Sequence, residues 1–194
     1  VAASVAANRV WTEFGVAKGT SMKVMLKAWR KRGSPGHIFG FDSFLGLPAA
    51  WYELPAGTFS RGGSPPWYHP FVSWQIGWFN ETVPLFAQRL ISSGKRVSFI
   101  HMDCDLYEST TMVLYSLARV LAPEGCLIVL DEAYDGELEA VWTVSRNLGW
   151  QLHVLSATVH QDRVMRAKVL LKVVPTELAK VADAVAAVHR LQPL

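Results

Sequence analysis

Cysteine is scarce in this chain of 194 residues: two are present, Cys104 and Cys126, both in apolar runs. That usage excludes a disulfide framework and reads as two buried thiols of a reducing compartment. Charged residues are few as well, at 18% against 51% apolar, which excludes a disordered chain. No apolar run reaches the length of a membrane span and no signal peptide is visible, so a cytoplasmic protein without a membrane partner is expected. The net charge is only +3, and the one basic cluster is Lys23, Lys27, Arg30, Lys31 and Arg32. It suits the solvated C-terminal part of a helix, and without a recognition motif beside it no nucleic-acid partner is expected. The length fits one domain over 1–194 with a full core.

The segment 11–21 is informative partly through what is missing from it. An apolar strand reaches Glu13, Gly15 and Gly19 form a turn, and a helix opens at Thr20 or Ser21, either of which is a good N-cap. Without Gly-Lys-Ser/Thr after the spacer it is not a Walker A loop, and without a third glycine it is not a dinucleotide fingerprint. A carboxylate at Glu13 repels a pyrophosphate. It suits a cationic ligand with an amino-acid tail, such as S-adenosylmethionine.

The rest of the chain alternates. Residues 37–42, 71–77, 97–103 and 126–130 read as strands, with helices expected over 20–31, 81–90, 109–121 and 136–147. Residues 151–157 and 164–173 alternate as an antiparallel pair. Residues 1–9 suit the tail of a helix, and a helix over 175–191, capped by Thr176, carries a stripe fit for the core or a homodimer seam. The expected architecture is α/β, a Rossmann-like doubly wound sheet. Asp42 ends the second strand, where an acid can bond a ribose diol. The long stretch 43–70, with Trp51, Tyr52, Trp67 and Tyr68, is expected to be a lid or binding loop.

Two more strands end in acids, Asp103 with Asp105 and Asp131 with Glu132. Four carboxyls at one sheet edge repel each other unless a cation joins them, which points to Mg²⁺ holding a substrate hydroxyl beside a carboxylate base. The alternative is that these acids cap helices and bond the cofactor without a metal. His101, beside them, suits a hydrogen-bonded core position, and Tyr107 suits either the substrate site or packing beneath a helix.

Glu13-Phe-Gly-Val-Ala-Lys-Gly-Thr-Ser21 resembles motif I of class I S-adenosylmethionine-dependent methyltransferases. Phe39-Gly-Phe-Asp-Ser-Phe-Leu-Gly-Leu-Pro48, Gly77-Trp-Phe-Asn-Glu-Thr-Val-Pro84, His101-Met-Asp-Cys-Asp-Leu-Tyr-Glu-Ser-Thr110 and Ile128-Val-Leu-Asp-Glu132 are similar, in order, to the macrocin/mycinamicin sugar O-methyltransferase family. The resemblance implies a seven-stranded, mostly parallel sheet with an antiparallel last strand. It also implies Mg²⁺-dependent methylation of a small-molecule hydroxyl, on a sugar or glycoside. By motif, Glu13, Gly15, Gly19, Thr20, Ser21, Asp42, Ser43 and Asp103 would hold the cofactor. Asp103, Asp131 and Glu132 would ligate the metal, and Asp105 would be the general base. The family often has Asp-Asp where this chain has Asp131-Glu132, and its N-terminal segment has little counterpart here. The rival readings are a non-catalytic cofactor-binding or scaffold domain, an NAD-dependent oxidoreductase, and a nucleic-acid methyltransferase, for which an Asn-Pro-Pro-Tyr-like base-handling motif is missing.

Overall fold

The computed structural model describes residues 8–33, 37–159 and 167–176. The elements are β1 (Arg9–Phe14), α1 (Thr20–Lys31), β2 (Ile38–Asp42), β3 (Val72–Ile76), α2 (Phe79–Ser93), β4 (Arg96–Met102), α3 (Tyr107–Leu117), β5 (Cys126–Leu130), a π-type turn (Ala133–Glu137), α4 (Leu138–Leu148), β6 (Gln151–Val159) and β7 (Ala167–Val174). The strands form one seven-stranded sheet in the order β3-β2-β1-β4-β5-β7-β6. The β1 to β5 pairings are parallel, while β7 pairs antiparallel with both β5 and β6. This is the expected mostly parallel, Rossmann-like sheet with its reversed last strands. Of the helix tail expected over 1–9, Asn8 lies in a turn and Arg9 opens β1, while residues 1–7 lie outside the described residues, as does the closing helix expected over 175–191 beyond Thr176.

Helix formation follows the apolar spacing. Met22, Met25, Leu26 and Trp29 recur along one side of α1 and pack with Ile38 and Val72 in one core layer. The exposed basic residues Lys23, Lys27, Arg30 and Lys31 occupy its other side. The larger layer joins Val83, Phe86 and Leu90 of α2, Val113 and Leu117 of α3, and Val144 of α4 to the central strands. β4 and β5 lie inside the sheet, and Ile100, Met102, Ile128 and Leu130 are fully buried there. Both cysteines are buried and free. Among the described residues, no helix is long and apolar enough to cross a membrane.

Two helix caps differ from expectation. α1 does begin at Thr20, but its N-cap is Gly19 in the left-handed region, φ 70°, with no side-chain cap. α3 begins at Tyr107 rather than at a Ser109 or Thr110 cap, because Thr110 is fully buried inside the helix and its N–H donates to the Leu106 carbonyl.

Candidate active site

Parallel strands bring the C-terminal ends of β1, β2, β4 and β5 to one edge of the sheet. A cavity of about 810 Å³ opens there, within the size range of small-ligand sites. Its first wall is the glycine turn. Gly15 has φ 82°, and a Cβ on it would lie 1.8 Å from the Asp103 carbonyl oxygen. The Gly15 N–H donates to the Phe41 carbonyl at 3.0 Å, and the Asp103 N–H donates to the Phe14 carbonyl at 2.9 Å. The glycine therefore lets β1 and the end of β4 close on each other.

Asp42 fixes the same turn. Its Oδ2 accepts the N–H groups of Val16 (2.9 Å) and Ala17 (2.8 Å), and Oδ1 accepts that of Phe44 at 2.7 Å. A carboxylate has roughly four acceptor sites, so about one remains for a ligand hydroxyl. Gly15, Ala17, Asp42 and Ser43 all line the cavity. Of the other expected cofactor residues, Glu13, Gly19, Thr20 and Ser21 stand behind that wall. Gly19 packs against the insertion, since a Cβ there would lie 2.7 Å from the Trp67 indole nitrogen. Thr20 is exposed. Ser21 Oγ donates to Glu13 Oε1 and so caps nothing.

Glu13 is fully buried and belongs to a chain of charges. Its Oε1 pairs with His101 Nδ1 at 3.1 Å, and His101 Nε2 lies 3.4 Å from Asp131 Oδ1, which also meets the Lys168 ammonium. Burial works to lower the His101 pKa, but the hydrogen bonds its ring donates to Asp131 and Glu13 outweigh it and hold it up at about 10. The hydrogen bond from His101, helped by Lys168 against burial, holds Asp131 down at about 2. An imidazolium thus sits between two carboxylates. It is the hydrogen-bonded buried histidine expected, and it links the glycine turn to the end of β5.

Asp103, Asp105, Asp131 and Glu132 all line the cavity. Burial and the charge of Asp131 push the Asp103 carboxyl up to about 8. Asp105 sits in the left-handed region at φ 60°, which Asp tolerates better than most residues. The loops carrying these acids are tied together by Glu137, which is fully buried. Its Oε1 accepts the Cys104 N–H at 3.0 Å and its Oε2 accepts the Glu132 N–H at 3.3 Å. Burial, partly offset by those N–H donors, pushes the Glu137 pKa up to about 7. Neither Glu137 nor Lys168 was marked by spacing in the sequence. Only the fold brings them to the site.

The oxygen set expected for Mg²⁺ is not gathered. Among the described residues, no three His, Cys, Asp or Glu side chains are grouped closely enough to hold an ion. Asp131 Oδ1 meets the Lys168 ammonium and the His101 ring. As arranged, these side chains do not fit a divalent ion. S-adenosylmethionine fits better. A sulfonium and an ammonium suit a cavity with carboxylates and, among the described lining residues, no Lys or Arg. The same charge disfavours the pyrophosphate of NAD.

The second wall comes from the insertion. Leu47, Pro48, Trp51, Leu54 and Phe59 line the cavity. The insertion is held by its own backbone bonds, Leu47 N–H to the Thr58 carbonyl, Gly57 N–H to the Leu47 carbonyl, and a Trp51–Leu54 bridge. Trp67, Trp74 and Gly19 anchor its far end. Tyr107 does not line the cavity; it packs against Gly136, whose Cβ position lies 3.1 Å from that of Tyr107.

Comparison with known proteins agrees with this geometry. The profile of a methyltransferase-domain family matches residues 12–133, from β1 to just past β5. A curated relative, the 8-demethyl-8-(2,3-dimethoxy-alpha-L-rhamnosyl)-tetracenomycin-C 4'-O-methyltransferase of Streptomyces olivaceus, is 30% identical over 152 residues, 66% of this chain and 55% of the relative. The chain therefore spans about half the length of that relative. The calicheamicin methyltransferase CalS11 superposes with a TM-score of 0.61 at 21% identity, over 87% of this chain and 74% of that one. The O-methyltransferase NovP gives 0.62 at 18% identity, over 82% and 69%. These two likenesses show the shared fold. With the family profile covering β1 to β5 and every cavity-lining strand end, the chain belongs to the methyltransferase-domain family and has the class I methyltransferase fold.

Proposed function

We propose that the protein is an S-adenosylmethionine-dependent O-methyltransferase acting on a hydroxyl of a small molecule, a sugar or glycoside. The observation that carries this reading is the cavity at the strand ends, where the Gly15–Asp42 turn faces the acids of β4 and β5. The curated relative is named for methylating a rhamnosyl tetracenomycin, which supports the sugar as acceptor class.

In this reading the cofactor supplies an activated methyl group with its own leaving group, so the chain's task is alignment and proton removal. The turn at Gly15–Ala17, with Asp42 and Ser43, holds the adenosyl and amino-acid ends. Asp103, at the end of β4, faces the cationic part. Asp105 accepts the hydroxyl proton as the acceptor oxygen takes the methyl, which needs a base within hydrogen-bond reach. Its left-handed backbone supports that role, because strain of about 1–2 kcal/mol is kept only where surroundings enforce it. Glu137 positions Asp105 by holding the adjacent Cys104 N–H. No step is assigned to Mg²⁺, because the carboxylates as arranged do not form its ligand set.

The test is transfer of labelled methyl to a p-nitrophenyl rhamnoside, with Mg²⁺ and with a chelator. The wild type is expected to transfer in both. Asp105→Asn is expected to lose about 10²–10⁴-fold in kcat while binding S-adenosylhomocysteine as before. Cofactor binding with no transfer to any sugar would favour the non-catalytic alternative. Full activity of Asp105→Asn would remove Asp105 from the mechanism.

A further inference from the structure

The insertion after β2 stands on the glycine turn at both of its ends. At the near end Asp42 holds one residue of each. Its Oδ2 accepts the Ala17 N–H from the turn at 2.8 Å, and its Oδ1 accepts the Phe44 N–H from the insertion at 2.7 Å. Ala17 (φ 44°) and Phe44 (φ 54°) are both in the left-handed region, which a side chain disfavours and which is kept where neighbours enforce it. The Phe44 carbonyl then accepts the N–H groups of Arg61 (2.8 Å) and Gly63 (2.9 Å), bringing the returning leg of the insertion to the same point. From Leu45 to Ser60 only Leu47 is buried, so few other contacts fix this segment.

At the far end stands Trp67. A Cβ on Gly19 would lie 2.7 Å from its indole nitrogen and 3.0 Å from Pro66 Cγ, so the ring occupies the space a side chain would need. Trp74 braces the ring: its Nε1 donates to the Trp67 carbonyl at 2.8 Å, and the two rings meet edge to face at 5.0 Å. The Trp67 N–H is itself buried, with no acceptor among the described residues. A donor in that state has given up water without replacement, and the packing around it must hold the ring in place. Gly19 in turn closes the glycine turn, its N–H donating to the Val16 carbonyl at 2.7 Å. Gly15 and Ala17, on either side of Val16, line the cavity. A shift in the turn therefore reaches the insertion along two routes, through Asp42 into Phe44 and through Gly19 into Trp67.

Resting on the methyltransferase reading, we infer that Trp67 is a positioning residue: its contact with Gly19 makes the insertion wall follow the glycine turn, so that a cofactor held at the turn steadies the wall opposite. The Asp42 route follows directly from the chain leaving β2. The Trp67 route joins segments distant in sequence through one ring, and a single substitution removes it. Ordering of the insertion and occupancy of the turn are then coupled, and by linkage the coupling runs both ways.

The experiment reads hydrogen exchange at the Leu47, Trp51, Leu54 and Gly57 N–H groups, which close the insertion on itself, with and without saturating S-adenosylhomocysteine. In the wild type the ligand is expected to slow exchange there at least about fivefold. In Trp67→Leu the slowing is expected to fall below about twofold, with S-adenosylhomocysteine affinity changed by less than about threefold. Trp67→Phe, which keeps a ring over Gly19, is expected to retain most of the slowing. A residue serving stability alone would raise exchange by the same factor with and without ligand and leave their ratio unchanged. Slowing in Trp67→Leu equal to that of the wild type therefore overturns the inference, as does bound S-adenosylhomocysteine with no slowing in the wild type. Should Trp67→Leu not fold, Gly19→Ala, whose methyl drives the ring off the turn, takes its place under the same two criteria. If S-adenosylhomocysteine does not bind the wild type, the methyltransferase reading fails first and takes this inference with it.

Discussion

On one side of the cavity the wall is made of strand ends and the buried groups that tie them together. Gly15 admits the Asp103 carbonyl, Asp42 holds three backbone N–H groups, His101 joins Glu13 to Asp131, and Glu137 joins the two acid-bearing loops. On the other side, the insertion after β2 is closed by its own backbone bonds. It carries three non-glycine residues at positive φ, namely Phe44, Tyr52 and Phe59, and leaves Tyr52 and Phe59 more than half exposed. The first wall is continuous with the core; the second is laid over it. A change in the first should therefore be felt as lost stability. One in the second should be felt at the acceptor, with the fold intact.

Gly15→Ala is the most severe way to probe that division. It combines a left-handed backbone with a Cβ 1.8 Å from a carbonyl oxygen. The expected cost is about 2–5 kcal/mol, from αL strain plus forced movement of the β4 end. Urea unfolding reads it directly, and a wild-type midpoint would mean that the turn and β4 are not closed together.

His101→Gln comes next. Removing the ring between Glu13 and Asp131 leaves the fully buried Glu13 without its partner and the part-buried Asp131 with Lys168 alone, at an expected cost of about 3 kcal/mol. The effect depends on pH. His101 is raised from 6.5 to about 10, so its contribution is full below pH 6.5 and is lost as pH rises through about 10. Asp131 is lowered from 3.8 to about 2, so its share is full above 3.8 and is lost as pH falls through about 2. The gap between wild type and His101→Gln should be widest between pH 4 and 6.5 and narrow toward alkali. In NMR of the wild type, the His101 ring should remain protonated at pH 8. A ring titrating near 6.5 would break the charge chain.

Glu137→Ala should cost about 2 kcal/mol, because it strips acceptors from two backbone N–H groups at the site. Glu137→Gln keeps one acceptor and should lose about half as much. Equal loss in both would locate the effect in the charge and not in the clamp.

Phe59→Ala should have the smallest effect on stability, under about 1 kcal/mol, since the ring is half exposed. Its effect belongs on acceptor KM. A loss of stability comparable with Gly15→Ala would erase the distinction between the two walls.

The same division decides what the sequence discloses. The strands and helices of the first wall are legible because buried parallel strands are written as apolar runs, as in Cys126–Leu130, and α1 was placed at Thr20–Lys31 by its periodicity and breaker. The strand-end acids could be found for the same reason: each follows an apolar run. The partners of those acids were not legible. His101 could be seen as a buried polar residue, but its two carboxylates come from β1 and from beyond β5. Lys168 and Glu137 reach the site through an antiparallel strand and a π-type turn that no short-range pattern specifies. Ser21 looked like a cap and instead serves Glu13, because a buried carboxylate competes successfully for its hydroxyl. The insertion stands out in the sequence by its length and composition, and part of it lines the cavity. Which of its residues face the cavity depends on turns at positive φ that the residues Phe44, Tyr52 and Phe59 do not announce.

The most direct measurement is a calorimetric titration of S-adenosylmethionine into the protein. The account predicts one-to-one binding in the micromolar range that persists when a chelator is present. Absence of binding, or binding only with added Mg²⁺, would contradict a cofactor site formed by the turn and acids as they stand.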